Sequence, residues 1–222
     1  MADKFVSEKN IKFLIHDVFD VTQLTTYPYY ADHNREVFDM VIDTAIKMAE
    51  DLFHPCFEEM DRQQPELIDG RVKVHPQVRK IMKECGAGGW IGADFPYEVG
   101  GQQLPLTMTF MSEFIFNAAN YSGFIYSSLT SGAAGLIESF GTEEMKERYL
   151  PKMMAGEWQG TMALTEPQAG SSLADIATRA EPTDAGYYKL KGQKIFISAS
   201  DHDGVDNIVH LMLAKIKGAP EG

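Results

Sequence analysis

One segment places several groups able to hold an anion or a polar ring edge within a few residues: Met162-Ala163-Leu164-Thr165-Glu166-Pro167-Gln168-Ala169-Gly170-Ser171-Ser172. A short apolar run leads into a bend made of Pro, Ala, Gly and two serines. Such a bend presents backbone N–H groups and hydroxyls together, without added charge. That donor set suits a diphosphate or the polar edge of a cofactor ring. A plain surface turn has the same composition, and short glycine motifs are of low specificity. The second suggestive cluster is Asp201-His202-Asp203. No other cluster at ligand spacing accompanies it, so it reads as an acceptor-rich turn and not as a metal site. His16, His33, His54, His75 and His210 are scattered, with no pair on one helix face. No metal site and no catalytic residue is assigned.

The elements that must position this bend begin with helices. Ile11, Leu14, Ile15 and Val18 fall at i, i+3, i+4 and i+7, the stripe of an amphipathic helix, with Ser7 as its cap. Tyr27-Pro28-Tyr29-Tyr30 interrupts the pattern. A longer helix is predicted from about Asn34 to His54, with Val37, Met40, Val41, Thr44, Ala45 and Met48 inside and Pro55 ending or kinking it. His75-Pro76 opens a third helix with the stripe Val78, Ile81, Met82 and Cys85, and Gly86 as its stop. Glycine-dense turns follow through Gly101. Two apolar helices are predicted over 105–120 and 123–139, and Thr142 caps another that starts with Glu143 and Glu144.

Beyond Trp158 the periodicity shortens. Strands are predicted at Thr161–Leu164, Tyr187–Gly192, Lys194–Ser198 and Ile208–Ile216, with Asp184-Ala185-Gly186 as a hairpin turn. The expected division is therefore a helical domain over 1–157 and the first part of an antiparallel β-domain over 158–222. About four strands leave edges and an apolar face unpaired, which points to a fragment or to partner strands elsewhere.

Composition narrows the function classes. The 222 residues hold 20 Lys+Arg against 32 Asp+Glu, a net charge of −12, which argues against a phosphate-backbone binder. No stretch reaches the roughly 20 apolar residues of a membrane span. Cys56 and Cys85 are too few for a disulfide framework and read as buried fillers, so a reducing cytoplasm is the expected compartment. Trp90 and Trp158 read as packing residues.

The segment Met162–Ser172 resembles the flavin-binding signature of the acyl-CoA dehydrogenase family, Thr-Glu-Pro followed by Gly-Ser-Asp. Three more segments are similar to the same family in the same order: Phe95-Pro96-Tyr97-Glu98-Val99-Gly100-Gly101, the run Gly141-Thr142-Glu143-Glu144-Met145-Lys146 through Tyr149-Leu150-Pro151 to Gly156-Glu157, and Gly192-Gln193-Lys194-Ile195-Phe196-Ile197-Ser198. The N-terminal extension and the run into Asp201-His202-Asp203 look like the larger-subunit branch, which includes methylmercaptopropionyl-CoA and some long-chain enzymes.

The resemblance implies an α+β fold: a helical N-terminal domain, a middle β-barrel incomplete in this chain, and a C-terminal helical bundle that is absent from it. It implies FAD as cofactor and α,β-dehydrogenation of an acyl-CoA thioester, with electrons passing to electron-transfer flavoprotein. Homodimers or homotetramers are expected, and neither nucleic acid nor membrane as partner. Residues implied at the cofactor are Met162, Ala163, Leu164, Thr165, Gly170, Ser171, Phe196, Ile197 and Ser198. Ser171 is also implied at the CoA arm. Tyr126, Ser127, Ser128 and Thr130 are either ordinary helix packing or one wall of an acyl pocket. Phe196 stands for the usual Trp, Ser198 for Thr, Ser172 for Asp and Met145 for Gln. The family's catalytic glutamate lies beyond the matching region, and Glu166 serves the turn, so the 222 residues alone are expected to be inactive. An acyl-CoA oxidase, or a non-catalytic flavoprotein or assembly subunit on the same scaffold, is the alternative.

Overall fold

A computed structural model describes residues 5–219. Helices dominate up to residue 154 and strands follow from residue 158. Helix α1 spans Glu8–Phe13, and the Ser7 side chain accepts from the Asn10 N–H as the sequence predicts. It runs into a π-turn at Leu14–Val18. Ile11 and Ile15 are buried, while Val18, at the end of the predicted stripe, is exposed. Helix α2 spans Arg35–Met48 behind an Asn34 cap, continues as a π-turn over Ala49–Phe53, and breaks into a 3-10 turn at His54–Cys56, where Pro55 removes a donor. Its buried face is Phe38, Val41, Ile42 and Ala45. Met40 and Thr44 point to solvent, so the inner face is rotated from the predicted one.

Helix α3, Phe57–Arg62, and the hairpin β1 (Glu66–Ile68) and β2 (Arg71–Lys73) lie within the stretch expected to be all helical. Helix α4, Gln77–Ala87, buries Val78, Ile81, Met82 and Cys85. It runs past Gly86 to cap at Gly88, and Gly89 takes a φ of 71°. Gly86 instead allows close approach: a Cβ there would strike the Ala155 backbone. Helix α5, Leu106–Phe140, is the spine of the molecule and breaks at Asn120, so the two predicted helices meet end to end. Asn120 donates to Phe53 O at 3.1 Å and accepts from Gly123 N–H at 2.9 Å. Its side chain therefore replaces the backbone partners that the break removes. Helix α6, Glu143–Met154, starts at the Thr142 cap.

The core centres on Phe116, which stacks on Phe53 with ring centroids 5.0 Å apart and meets the Trp90 edge at 5.1 Å. Both cysteines are free and buried, and burial pushes the Cys85 thiol up to about 12. Strand β3, Trp158–Ala163, packs on α5, where Gly160 N–H donates to Thr130 Oγ1 at 3.1 Å. It pairs in parallel with β6, Asn207–Met212. A second sheet has the order β5 (Tyr188–Lys191), β4 (Arg179–Pro182), β7 (Lys215–Ile216). Its β4–β5 hairpin is antiparallel, with Gly186 at positive φ, and β4–β7 is parallel. The β-region is thus open and mixed in direction, where antiparallel pairing alone was predicted. Lys194–Ser198 is not a strand: Phe196 and Ala199 both take positive φ, which breaks the alternation. No described helix is long and apolar enough to cross a membrane.

Candidate functional site

Strand β3 delivers the chain into the bend. Ala163 is buried at its end, and Met162, Leu164 and Thr165 are half-buried. Glu166 N–H donates to Ala169 O at 2.8 Å, and Ala169 N–H returns to Glu166 O at 3.1 Å, closing a tight loop around Pro167.

The Glu166 side chain is the anchor. It is 3% exposed. Its carboxylate accepts from Lys194 Nζ at 2.8 Å, Ala177 N–H at 2.5 Å, Thr178 N–H at 3.0 Å and Gln168 Nε2 at 2.7 Å. Burial alone would raise its pKa, but the Lys194 ammonium and the amide donors outweigh this and hold the carboxyl well below the usual range. Glu166 therefore stays ionised at neutral pH and is no proton acceptor. Lys194 also donates to Leu164 O at 2.9 Å, and Ile195 N–H donates to Thr165 O at 3.0 Å. Three segments, 164–169, 176–178 and 194–195, are thereby fastened into one unit.

Thr165 sits on this seam beside the segment leading to Phe196. The internal bonds of the bend use backbone, Glu166, Gln168 and Ser172, whose hydroxyl donates to Asp175 Oδ2 at 2.7 Å. The Thr165 and Ser171 hydroxyls have no hydrogen-bond partner among the described residues. Gly170 and Ser171 are exposed, and a Cβ at Gly170 would meet nothing. The Phe196 ring is 88% exposed, a bare aromatic surface close to neutral donors. This combination fits a flat ring with a polar edge, since Lys194, the cation bonded into the bend, is spent on Glu166.

Ile197 is half-buried and Ser198 exposed. Ser198 borders a cavity of about 280 Å³, also lined by Gln63, Pro65, His75, Tyr121 and Tyr126. Ser127 and Thr130 are buried and donate to Phe124 O and Tyr126 O, so they pack the helix, while Tyr126 faces the cavity. Asp201-His202-Asp203 is a turn: His202 bonds Gln159 Oε1 at 2.6 Å, and Asp203 caps Val74 N–H and pairs with Lys73. No group of metal ligands forms among the described residues.

The family model "Acyl-CoA dehydrogenase, N-terminal domain" matches residues 36–157. This chain belongs to the acyl-CoA dehydrogenase family. Among similar acyl-CoA dehydrogenases, a butyryl-CoA dehydrogenase of Syntrophomonas wolfei is 35% identical over 218 residues, 96% of this chain and 36% of that protein. A 3-methylmercaptopropionyl-CoA dehydrogenase of Ruegeria pomeroyi is 32% identical over the same shares. The chain thus spans about a third of the curated relatives it matches. A solved acyl-CoA dehydrogenase from Bacillus anthracis, complexed with FAD, superposes with a TM-score of 0.68 at 27% identity over 84% of this chain and 30% of its own.

The anchoring partners of Glu166 were not legible as a site. Lys194 stood out as a lysine within a family-like segment, with no sign that it would meet Glu166, and the amides of Ala177 and Thr178 carry no side-chain signal at all.

Proposed function

We propose that the protein catalyses FAD-dependent α,β-dehydrogenation of an acyl-CoA thioester. The carrying observation is the Thr165–Ser172 bend, held rigid by ionised Glu166 while the Thr165 and Ser171 hydroxyls take no partner among the described residues. When bound, FAD would take up the hydride equivalent from the substrate. Met162, Ala163, Leu164, Thr165, Gly170 and Ser171 would line the cofactor on one side, and Phe196, Ile197 and Ser198 on the other. The Thr165 hydroxyl and the Leu164 backbone would hydrogen-bond the ring edge, where negative charge grows on reduction. Phe196 would lie flat against the ring and keep water from it. Ser171 would reach the CoA arm.

Glu166 is committed to Lys194 and does not take the α-proton; the family resemblance implies as base a glutamate outside the matched region. We also place the domain boundary at 157/158, the acceptor as electron-transfer flavoprotein, the assembly as a homodimer or homotetramer and the compartment as cytoplasmic.

The full-length protein, with its catalytic base, is expected to show flavin absorbance when purified and to bleach anaerobically with an acyl-CoA. Thr165→Ala should weaken FAD binding about tenfold, the loss of one hydrogen bond to a charge-bearing ring. A colourless protein that gains no absorbance with added FAD would overturn the reading. Fast reoxidation by oxygen would assign an oxidase instead.

A further inference from the structure

The sheet β5-β4-β7 separates charge from apolar surface. Cross-strand partners share a face, and successive residues alternate between faces. Arg179 on the central strand lies opposite Lys191 on one side and Lys215 on the other. Two residues along, Glu181 lies opposite Lys189, and Lys217 reaches Glu181 at 3.8 Å. Ala180, Leu190 and Ile216 take the opposite face. One side of this small sheet therefore carries five cations and one carboxylate, all exposed, in a chain of net charge −12.

Like charges directly opposite one another destabilise a sheet. With strands about 4.8 Å apart, the Arg179 backbone is flanked on both sides by that of a lysine at single-strand spacing. Among the described residues, Lys217 is the one member of the five that meets a carboxylate. Lysines on the edge strands β5 and β7 would serve to discourage edge pairing. That role does not call for an arginine on the central strand. The face also adjoins the cofactor bend: β4 starts directly after Thr178, whose N–H binds Glu166, and Lys215 N–H donates to Thr178 O at 2.8 Å.

We propose that this face binds the phosphate groups of a nucleotide-bearing ligand, with Arg179 as the forked central contact and Lys191 and Lys215 flanking it. A guanidinium presents two parallel donors to a phosphate, and two neighbouring ammonium groups add charge without demanding a fixed geometry. The choice of a nucleotide rests on the proposed dehydrogenase function; the charge arrangement does not.

Calorimetric titration of the protein with CoA, dephospho-CoA and FAD, at low and high salt, tests this. Arg179→Gln should weaken binding about tenfold and Arg179→Lys less, because the charge survives but the fork does not. Lys191→Gln and Lys215→Gln should each cost less than Arg179→Gln, and Lys9→Gln, at an exposed position of α1, nothing. Salt should weaken the parent more than a triple variant that combines Arg179→Gln, Lys191→Gln and Lys215→Gln. A loss seen with CoA and not with dephospho-CoA assigns the 3′-phosphate as ligand; an equal loss with FAD assigns the cofactor's diphosphate. If all three ligands bind the Arg179→Gln and triple variants as they bind the parent, the proposal is overturned and the face only protects strand edges. Flavin absorbance separates the two readings. A colourless protein with arginine-dependent CoA binding keeps the phosphate face and loses the dehydrogenase. A flavoprotein with unaltered variants does the reverse.

Discussion

The helical region and the strand region of this chain are stabilised by different means. The helices close on themselves: Phe38, Phe53, Phe116, Ile81 and Met82 are fully buried with neighbours drawn from α2, α4 and α5. The strands do not. Tyr188, Leu190 and Ile216 remain about half exposed on the uncharged side of their sheet. Order there comes from a polar clamp, Glu166 with Lys194 and two backbone amides. Apolar burial is non-directional and tolerates small shifts, whereas a buried carboxylate clamp demands each partner in place. A bend proposed to bind a cofactor gains from the second arrangement, because the clamp fixes backbone direction while the Thr165 and Ser171 hydroxyls take no partner among the described residues.

The sharpest way to break this contrast is Phe116→Ala. It removes a ring that touches Phe53, Trp90 and Phe124 at 5.0 to 5.2 Å, and should cost about 3–5 kcal/mol in chemical denaturation. A loss below about 1 kcal/mol would mean that the helical core is not the stability centre.

Glu166→Gln should act on the other region. Amide hydrogen exchange is expected to accelerate over 164–178 and 192–196 while the core of α5 stays protected. The same clamp predicts a pH dependence. The folded-state pKa of Glu166 lies below its ordinary value of 4.5, so the folded state binds the proton less readily than the unfolded state. Its stabilisation is complete above the ordinary value and is lost as pH falls through the depressed folded value. Exchange in the strand region should therefore rise under acid in the parent and be flatter in Glu166→Gln. Equal acid sensitivity in both would remove Glu166 as the anchor.

The smallest expected effect sharpens the boundary between the regions. Thr142→Ala removes the side-chain acceptor for Met145 N–H and should cost about 1 kcal/mol, the usual value of a helix cap. Because α6 leads directly into β3, melts followed by the helical signal and, in a Trp90→Phe background, by Trp158 fluorescence show whether that loss spreads into the strands.

Legibility in the sequence follows the same division. The Val78, Ile81, Met82 and Cys85 stripe was readable because α4 carries apolar residues on one face only. In α2 the reading went one position astray. Val37, Phe38, Met40, Val41, Ile42, Ala45, Ile46 and Met48 offer two overlapping helical stripes, and the larger rings and branched chains took the inside. The break at Asn120 was legible as a gap between two apolar helices, though not that its side chain would bond Phe53 O from a distant turn. Alternation at 194–198 suggested a strand, but Lys194 is drawn to Glu166 and the chain turns left-handed at Phe196.

Residue order alone settled what depends on neighbours a few positions away: the caps at Ser7 and Thr142, the kink at Pro55, and the motifs by which family membership was read. Those features are local because backbone hydrogen bonds of a helix end, or a missing proline N–H, are satisfied or lost within one turn. Folding decided everything that required distant groups to meet. Lys194 reaches Glu166 across 28 residues, Lys215 comes to lie beside Arg179 in parallel register, and Gln159 meets His202. Electrostatics and sheet register act through space, and a one-dimensional pattern holds no measure of that distance.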